Sequence, residues 1–159
     1  MNMQEYTLEK ISYSRKEDCR IMEPVLGEWF KDPKILNLVS PNLTYPFIFK
    51  NWVSKNYSKR QVPAISIVIL KKSWIVGHIS FRVKKNKAHV FHLVIDKHYR
   101  RLGLAKMLIA EVEKHCSKLS KTISLKILRK NPEAINLYKN LGYSVISSGN
   151  LKSVKMQKF

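Results

Sequence analysis

Six consecutive residues, Arg100-Arg101-Leu102-Gly103-Leu104-Ala105, have the composition of an anion-binding turn. They follow a β-branched and aromatic stretch that ends at Ile95, and they open a segment of helical periodicity. Such a junction brings successive backbone N–H groups to a helix N-terminus, where free donors and the helix dipole both favour negative charge. Small residues at 103 and 105 permit close approach, which suits a phosphate. No Gly-Lys-Ser/Thr follows, so the turn is not a Walker loop, and two of three glycines of a dinucleotide fingerprint are missing. Taken alone, the same residues also describe an ordinary tight turn. Cys19 and Cys116 are too isolated to form a metal site or a disulfide framework.

The elements that must position this turn are readable from periodicity. Strands are expected over 6–13, 64–70, 74–83, 88–95 and 122–128, with Lys71-Lys72-Ser73 forming a hairpin and a closing hairpin over 143–147 and 151–157 around Ser148-Gly149-Asn150. Helical spacing covers 15–30, with a break or kink expected at Pro24. A second helix is expected over 46–57, with Phe47, Ile48, Trp52 and Val53 inward. Asp32-Pro33 reads as punctuation between the two. Leu104, Leu108, Val112 and Cys116 recur every four residues through a helix over 104–119. Asn131-Pro132-Glu133-Ala134 starts another helix with Asn as cap and Pro in the first turn, and Gly142 stops it. The sum is an α/β (α+β) domain over 1–159, with a mixed central sheet of about six or seven strands and about four helices.

The chain of 159 residues is 45% hydrophobic and 26% charged, enough for one core and short for two. Its longest apolar run, Ala64 to Leu70, is far below the roughly 20 residues of a membrane-spanning helix. Nothing at Met1-Asn2-Met3-Gln4-Glu5 marks secretion, and a cytoplasmic protein with reduced thiols is expected. The net charge is +19, yet seven of the eleven acids fall in the first 32 residues, which carry −2 and leave +21 for the rest. Such a surface attracts polyanions.

Ile95 to Ala105 resembles the acyl-CoA pyrophosphate loop of the GNAT superfamily, Arg/Gln-x-x-Gly-x-Gly/Ala after a strand, with Arg100, Gly103 and Ala105 on the pattern. Asn131-Pro132-Glu133-Ala134-Ile135-Asn136-Leu137-Tyr138-Lys139-Asn140-Leu141-Gly142-Tyr143 resembles the family's Asn-x-x-Ala-x-x-Leu-Tyr-x-x-x-Gly-Phe/Tyr, at the expected distance. Val76-Gly77 resembles the preceding strand. The resemblance implies an acetyl-CoA-dependent N-acetyltransferase, with the cofactor held by Arg100, Arg101, Leu102, Gly103, Leu104, Ala105 and Lys106. It implies an oxyanion contact from the amides of Leu93, Val94 or Ile95, a cofactor contact from Asn131, and thiolate protonation by Tyr138, which also lies on an apolar helix face. Many relatives carry a glutamate six residues before the strand's last apolar position. Here that position is His89, and a histidine can accept a proton at neutral pH. His92 is the second candidate if the strand is bulged, and His78 the third; a lone histidine is more often structural. No metal is implied.

The acceptor region implied by the resemblance spans 15–57 and 144–155. Glu17, Asp18, Glu23, Glu28 and Asp32 there admit a cationic amine, while the basic surface equally admits an acidic peptide or metabolite. A nucleic-acid or ribosome-binding module is the competing reading, with Tyr45, Trp52 and Tyr57 near Lys50, Lys55 and Lys59. A non-catalytic coenzyme A sensor is a third, and intact Asn131 and Tyr138 argue against it. No membrane partner is expected, and an exposed sheet edge admits a monomer or a homodimer.

Overall fold

In the computed structural model, which describes residues 5–58, 62–117, 122–147 and 152–159, the strand-forming segments join into one seven-stranded sheet. Its strands are β1 (Tyr6–Ile11), β2 (Ala64–Lys71), β3 (Trp74–Lys84), β4 (Lys87–Ile95), β5 (Thr122–Leu128), β6 (Ser144–Ser147) and β7 (Ser153–Lys158). They lie in the order β1-β2-β3-β4-β5-β7-β6. Only β4 and β5 run parallel; the other neighbours are antiparallel.

Alternation along each strand divides the sheet into two faces. On β2, Ile67 and Ile69 join one core while Val68 joins the other. Helix α4 (Leu104–Ser117) covers the first face with Leu104, Leu108, Val112 and Cys116, all buried as the four-residue repeat predicts. The expected continuation of this helix to Leu119 lies outside the described residues. Gly77 of β3 lies beneath it. A Cβ there would fall 2.5 Å from Ile69 Cγ2 and 2.8 Å from Ile95 Cδ1, so the missing side chain lets the sheet close under Leu108.

The second face carries α1 (Lys16–Trp29), α2 (Pro33–Val39) and α3 (Phe49–Asn56). Their Met22, Leu26, Leu36 and Trp52 pack on Val68 and Val94. All strand residues of this cluster belong to β1, β2, β3 or β4, so the helices cover that half of the face. Lys126 of β5 and Lys155 of β7 stand exposed beside it. Helix α5 (Pro132–Asn140) brings Ala134, Leu137 and Tyr138 to the first core.

Four expectations need correction. Helix α1 continues past Pro24, so the break does not occur there; burial of Met22, Leu26 and Trp29 outweighs a proline cost of about 3 kcal/mol. Asp32-Pro33 is not mere punctuation: the Asp32 carboxylate accepts from the Lys34 amide at 2.9 Å and starts α2, a fifth helix. The next helix begins at Phe49 instead of Pro46, and Ile48 is its extended N-cap, 51% exposed, not an inward residue. The first strand ends at Ile11, two residues early. The hairpin turn at Ser148-Gly149-Asn150 lies outside the described residues.

Candidate active site

Strands β4 and β5 pair only from Lys87↔Thr122 to Val90↔Leu125. Beyond that point β4 stays with β3 as far as Ile95↔Gly77, and β5 stays with β7 as far as Leu128↔Ser153. The two central strands therefore part, and a cleft of about 300 Å³ opens between them. Ser40, His89, His92, Leu93, Asn131 and Tyr138 are among the residues that line it. Where the strands part, β4 loses its partner on the β5 side, and its backbone polar groups face the opening.

A bulge re-aims β4 at the same level. Ser80 pairs with Phe91 and His78 with Val94, so His92 and Leu93 stand opposite the single Ile79. His92 takes up the extra residue at φ +56°, in the left-handed region. Consequently Leu93 and Ile95 turn to the α4 core, while Val94 joins the helical face. His89 and Ile95 would share a face in a regular strand; the bulge puts them on opposite ones. Cores that claim Ala88 and Val90 on one face leave His89 on the other, beside its register partner Arg82 and next to Ser124.

The three histidines have different surroundings. His78 is fully buried; its Nδ1 lies 2.8 Å from the His92 carbonyl oxygen and must carry the proton. Its Nε2 then accepts from the Tyr13 hydroxyl at 2.9 Å. Burial lowers its pKa to about 4, partly offset by the carbonyl bond, so it is a neutral structural group. His92 is 6% exposed and stacked on Trp52 with centroids 4.0 Å apart. Its Nδ1 is 2.7 Å from the Tyr57 hydroxyl and its Nε2 is 3.2 Å from Ser40 Oγ. Burial, with His78 and Arg82 adding, holds its pKa well below the ordinary value. Tyr57 continues to Ser80 at 2.8 Å, and Ser80 to Ser66 at 2.8 Å. His92 thus ends a buried hydroxyl chain at the wall of the cleft, which it lines together with Ser40. His89 is exposed on the open face. Partial desolvation and then the charges of Arg82, Lys126 and Lys155 depress its pKa, which keeps the ring neutral and able to accept a proton at pH 7.

The loop after β4 is held by Asp96. Its carboxylate accepts from the Trp29 indole at 3.0 Å and from the His98 amide at 2.9 Å. Arg100 Nε donates to the Ile95 carbonyl at 3.2 Å. Arg101 at φ +63° and Gly103 at φ +82° are both left-handed. Alternating conformations of this kind aim successive amides into one concavity. The first bond of α4 runs from the Met107 amide to the Gly103 carbonyl at 3.1 Å, which leaves the Leu104, Ala105 and Lys106 amides ahead of the helical ladder. A Cβ added at Gly103 meets nothing within 4 Å: the space above the loop is open.

Tyr138 lines the cleft and is 3% exposed, its ring edge-on to Tyr143 with centroids 5.1 Å apart. Burial and then the Glu113 charge raise its pKa, so the phenol keeps its proton. Asn131 Oδ1 accepts from the Ala134 amide at 3.3 Å as the α5 cap. Its carboxamide is therefore partly engaged, with the side-chain NH₂ left to the cleft. The aromatic platform of the nucleic-acid reading does not form: Trp52 is fully buried, and Tyr57 is occupied by Ser80 and His92. Lys59 lies outside the described residues. Among those described, no group of three or more His, Cys, Asp or Glu could hold a metal.

A sheet whose central parallel pair parts beside an amide-lined turn defines an acyl-CoA-type transferase scaffold. The sequence profile described as an acetyltransferase (GNAT) domain matches residues 48–157, and the chain belongs to that family. Its fold is similar to that of the PaiA N-acetyltransferase of Thermoplasma acidophilum, a structure in complex with coenzyme A, at TM-score 0.70 and 19% identity over 96% of this chain and 98% of that one. It is likewise similar to the GNAT domain of S. lividans PAT, at TM-score 0.77 and 12% identity over 95% and 88% of the two chains. A curated relative, the Cysteine-rich protein 2-binding protein of Mus musculus, is 33% identical over 85 residues; the match takes in 52% of this chain and 10% of that protein.

Sequence reasoning missed Ser40, Trp29 and Asp96. Ser40 caps the C-terminus of the unforeseen α2. Trp29 shows as a helical core residue in the sequence, but its indole bond to Asp96 spans 67 residues and leaves no local pattern.

Proposed function

We propose that the chain transfers an acetyl group from acetyl-CoA to a primary amine. The observation that carries this reading is the parting of β4 and β5 next to the amide-lined loop at Arg100–Lys106, with Tyr138 in the same cleft. The loop amides and Arg100 and Arg101 receive the pyrophosphate. Amides of Leu93, Val94 or Ile95, in the strand that has lost its β5 partner, take the thioester carbonyl oxygen as charge develops on it. The neutral amine nitrogen bonds to the carbonyl carbon while the carbon–sulfur bond breaks. The electron pair leaves with sulfur, which takes the Tyr138 phenol proton; that proton is restored from solvent. The nitrogen's excess proton goes to His89 or to water beside it, since His89 alone of the three histidines is exposed on the open face. His92 also lines the cleft but has both ring nitrogens engaged, by Tyr57 and Ser40, which makes it a positioning residue for the bulge.

The reading is tested by calorimetric titration with acetyl-CoA, comparing the protein with Gly103→Glu. Micromolar binding lost in the variant supports it. Absence of binding to the folded protein sinks it and returns the +21 segment, with nucleic acid as partner, to the front.

A further inference from the structure

The uncovered part of the sheet face gathers basic residues from four strands. Arg82 pairs with His89, His89 with Ser124 and Ser124 with Gln157, so one rung crosses four strands. Lys84↔Lys87 forms the next same-face rung toward the hairpin tip, and Lys126↔Lys155 flanks the rung on the other side. Neighbours along a strand face are about 7 Å apart and neighbours across it about 5 Å. Five cations thus surround His89 and Ser124. Beside them lies an open cavity of about 610 Å³ lined by Arg82, Lys84, Lys87, His89 and Ser124, which shares Arg82 and His89 with the β4–β5 cleft.

Arg82 is fixed in place. Its guanidinium donates to the Val62 carbonyl at 2.9 Å and to the Asn56 carbonyl, and it lies 4.4 Å from the Phe91 ring centroid. Its fixed partners are neutral. Six of the eleven acids have partners elsewhere. Asp18 takes the Ser12 amide and Arg15, Glu17 pairs Arg20, and Glu28 pairs Lys31. Asp32 and Asp96 cap local turns, and Glu113 pairs Lys158.

We infer that this face docks the acceptor and selects an amine bearing a carboxylate or phosphate roughly 5–7 Å from the reacting nitrogen, the distance of one neighbour across or along the strand face. The inference rests on the acetyltransferase reading above and adds the acceptor class to it. A bare ammonium is repelled by five like charges; an anionic group on the same molecule cancels the repulsion and pairs with Arg82, Lys126 or Lys155. The same cations make it easier for the docked ammonium to lose its proton, which the attack requires.

The test has two readouts on the full chain. The His89 ring signals are followed by NMR during titration with inorganic phosphate and, separately, with a short peptide rich in glutamate. Saturable shifts with at least one probe are expected, weakened tenfold or more by Lys126→Gln/Lys155→Gln, two exposed changes that leave the core intact, and by Arg82→Gln. Acetylation is then compared between glucosamine 6-phosphate and glucosamine, and between the glutamate peptide and its glutamine counterpart. The phosphate pair and the peptide pair separate a small-molecule source of the anion from a polypeptide one. A preference of tenfold or more in kcat/KM for the anionic member of one pair is expected, reduced to within twofold in Lys126→Gln/Lys155→Gln. Neutral amines or spermidine used equally well, or no shift of His89 with either anion, overturns the inference. Loss of acetyl-CoA binding in calorimetry instead condemns the acetyltransferase reading, while the His89 titration still decides whether the face takes anions.

Discussion

The loop cradle and the open face lie on the same sheet and are assembled in contrasting ways. Residues 93–106 of the cradle are contiguous, and the amides at the start of α4 are presented because the connection from β4 enters the helix through two left-handed residues, Arg101 and Gly103. Arg82, His89, Ser124, Lys126 and Lys155 come from four strands and meet only through register. The cradle attracts an anion with backbone dipoles that no side-chain substitution removes. The open face does so with side chains, each individually replaceable. One arrangement suits an invariant cofactor and the other an acceptor.

The largest expected effect separates the two regions. Gly103→Glu puts a carboxylate into the open space above the loop, and acetyl-CoA affinity should fall at least 100-fold, about 3 kcal/mol, in calorimetry. The response of His89 to inorganic phosphate should stay unchanged; a parallel loss would break the division. Tyr138→Phe, inside the cleft, should lower kcat about 100-fold with KM for acetyl-CoA unchanged. A proportionate rise in KM instead would make Tyr138 a packing residue.

The buried support for the bulge gives a stability signature. His78 has a folded pKa of about 4 against an ordinary 6.5, so the unfolded chain binds its proton first as pH falls. Stability is therefore full above about pH 6.5 and declines toward pH 4, by roughly 3 kcal/mol from this group at its limit. His92 is shifted in the same direction and adds to the decline. Denaturant unfolding at pH 7.5, 6 and 4.5 measures it, and a flat profile would remove the neutral His78–Tyr13 link. Gly77→Ala should cost about 1–3 kcal/mol by forcing Ile69 and Ile95 apart under α4, read as a lower denaturation midpoint. The smallest effect is expected on α1: Glu28→Gln removes an exposed pair with Lys31, worth little in water, and should leave turnover unaltered. A loss of activity there would restore the acidic cluster as an acceptor site.

Much of this molecule is local enough to be read in one dimension. The turn at Arg100–Ala105, the Asn131-Pro132 helix start and the four-residue repeat on α4 each follow from neighbours within a few positions, and each stands where the pattern puts it. Asp32-Pro33 had an equally local meaning as a helix cap but is followed by only seven helical residues, too few for a periodicity to form. Pro24 failed as a breaker because the cost it imposes is local, whereas the burial that outweighs it comes from the sheet and α3.

The amino-acid sequence by itself determined the family, the order of the elements and the residues of the loop, because those depend on contacts along the chain. Tertiary structure alone decided where each histidine stands. One extra residue at His92 turns its ring to the part of the second face that α2 and α3 cover, where His78 is also buried, while His89 stands on the uncovered part, and no count of spacing reveals that an extra residue is accommodated as a bulge. It also decided that the early acids pair locally while basic residues from four strands collect around His89, since charge patterns on a sheet are set by register between segments distant in sequence.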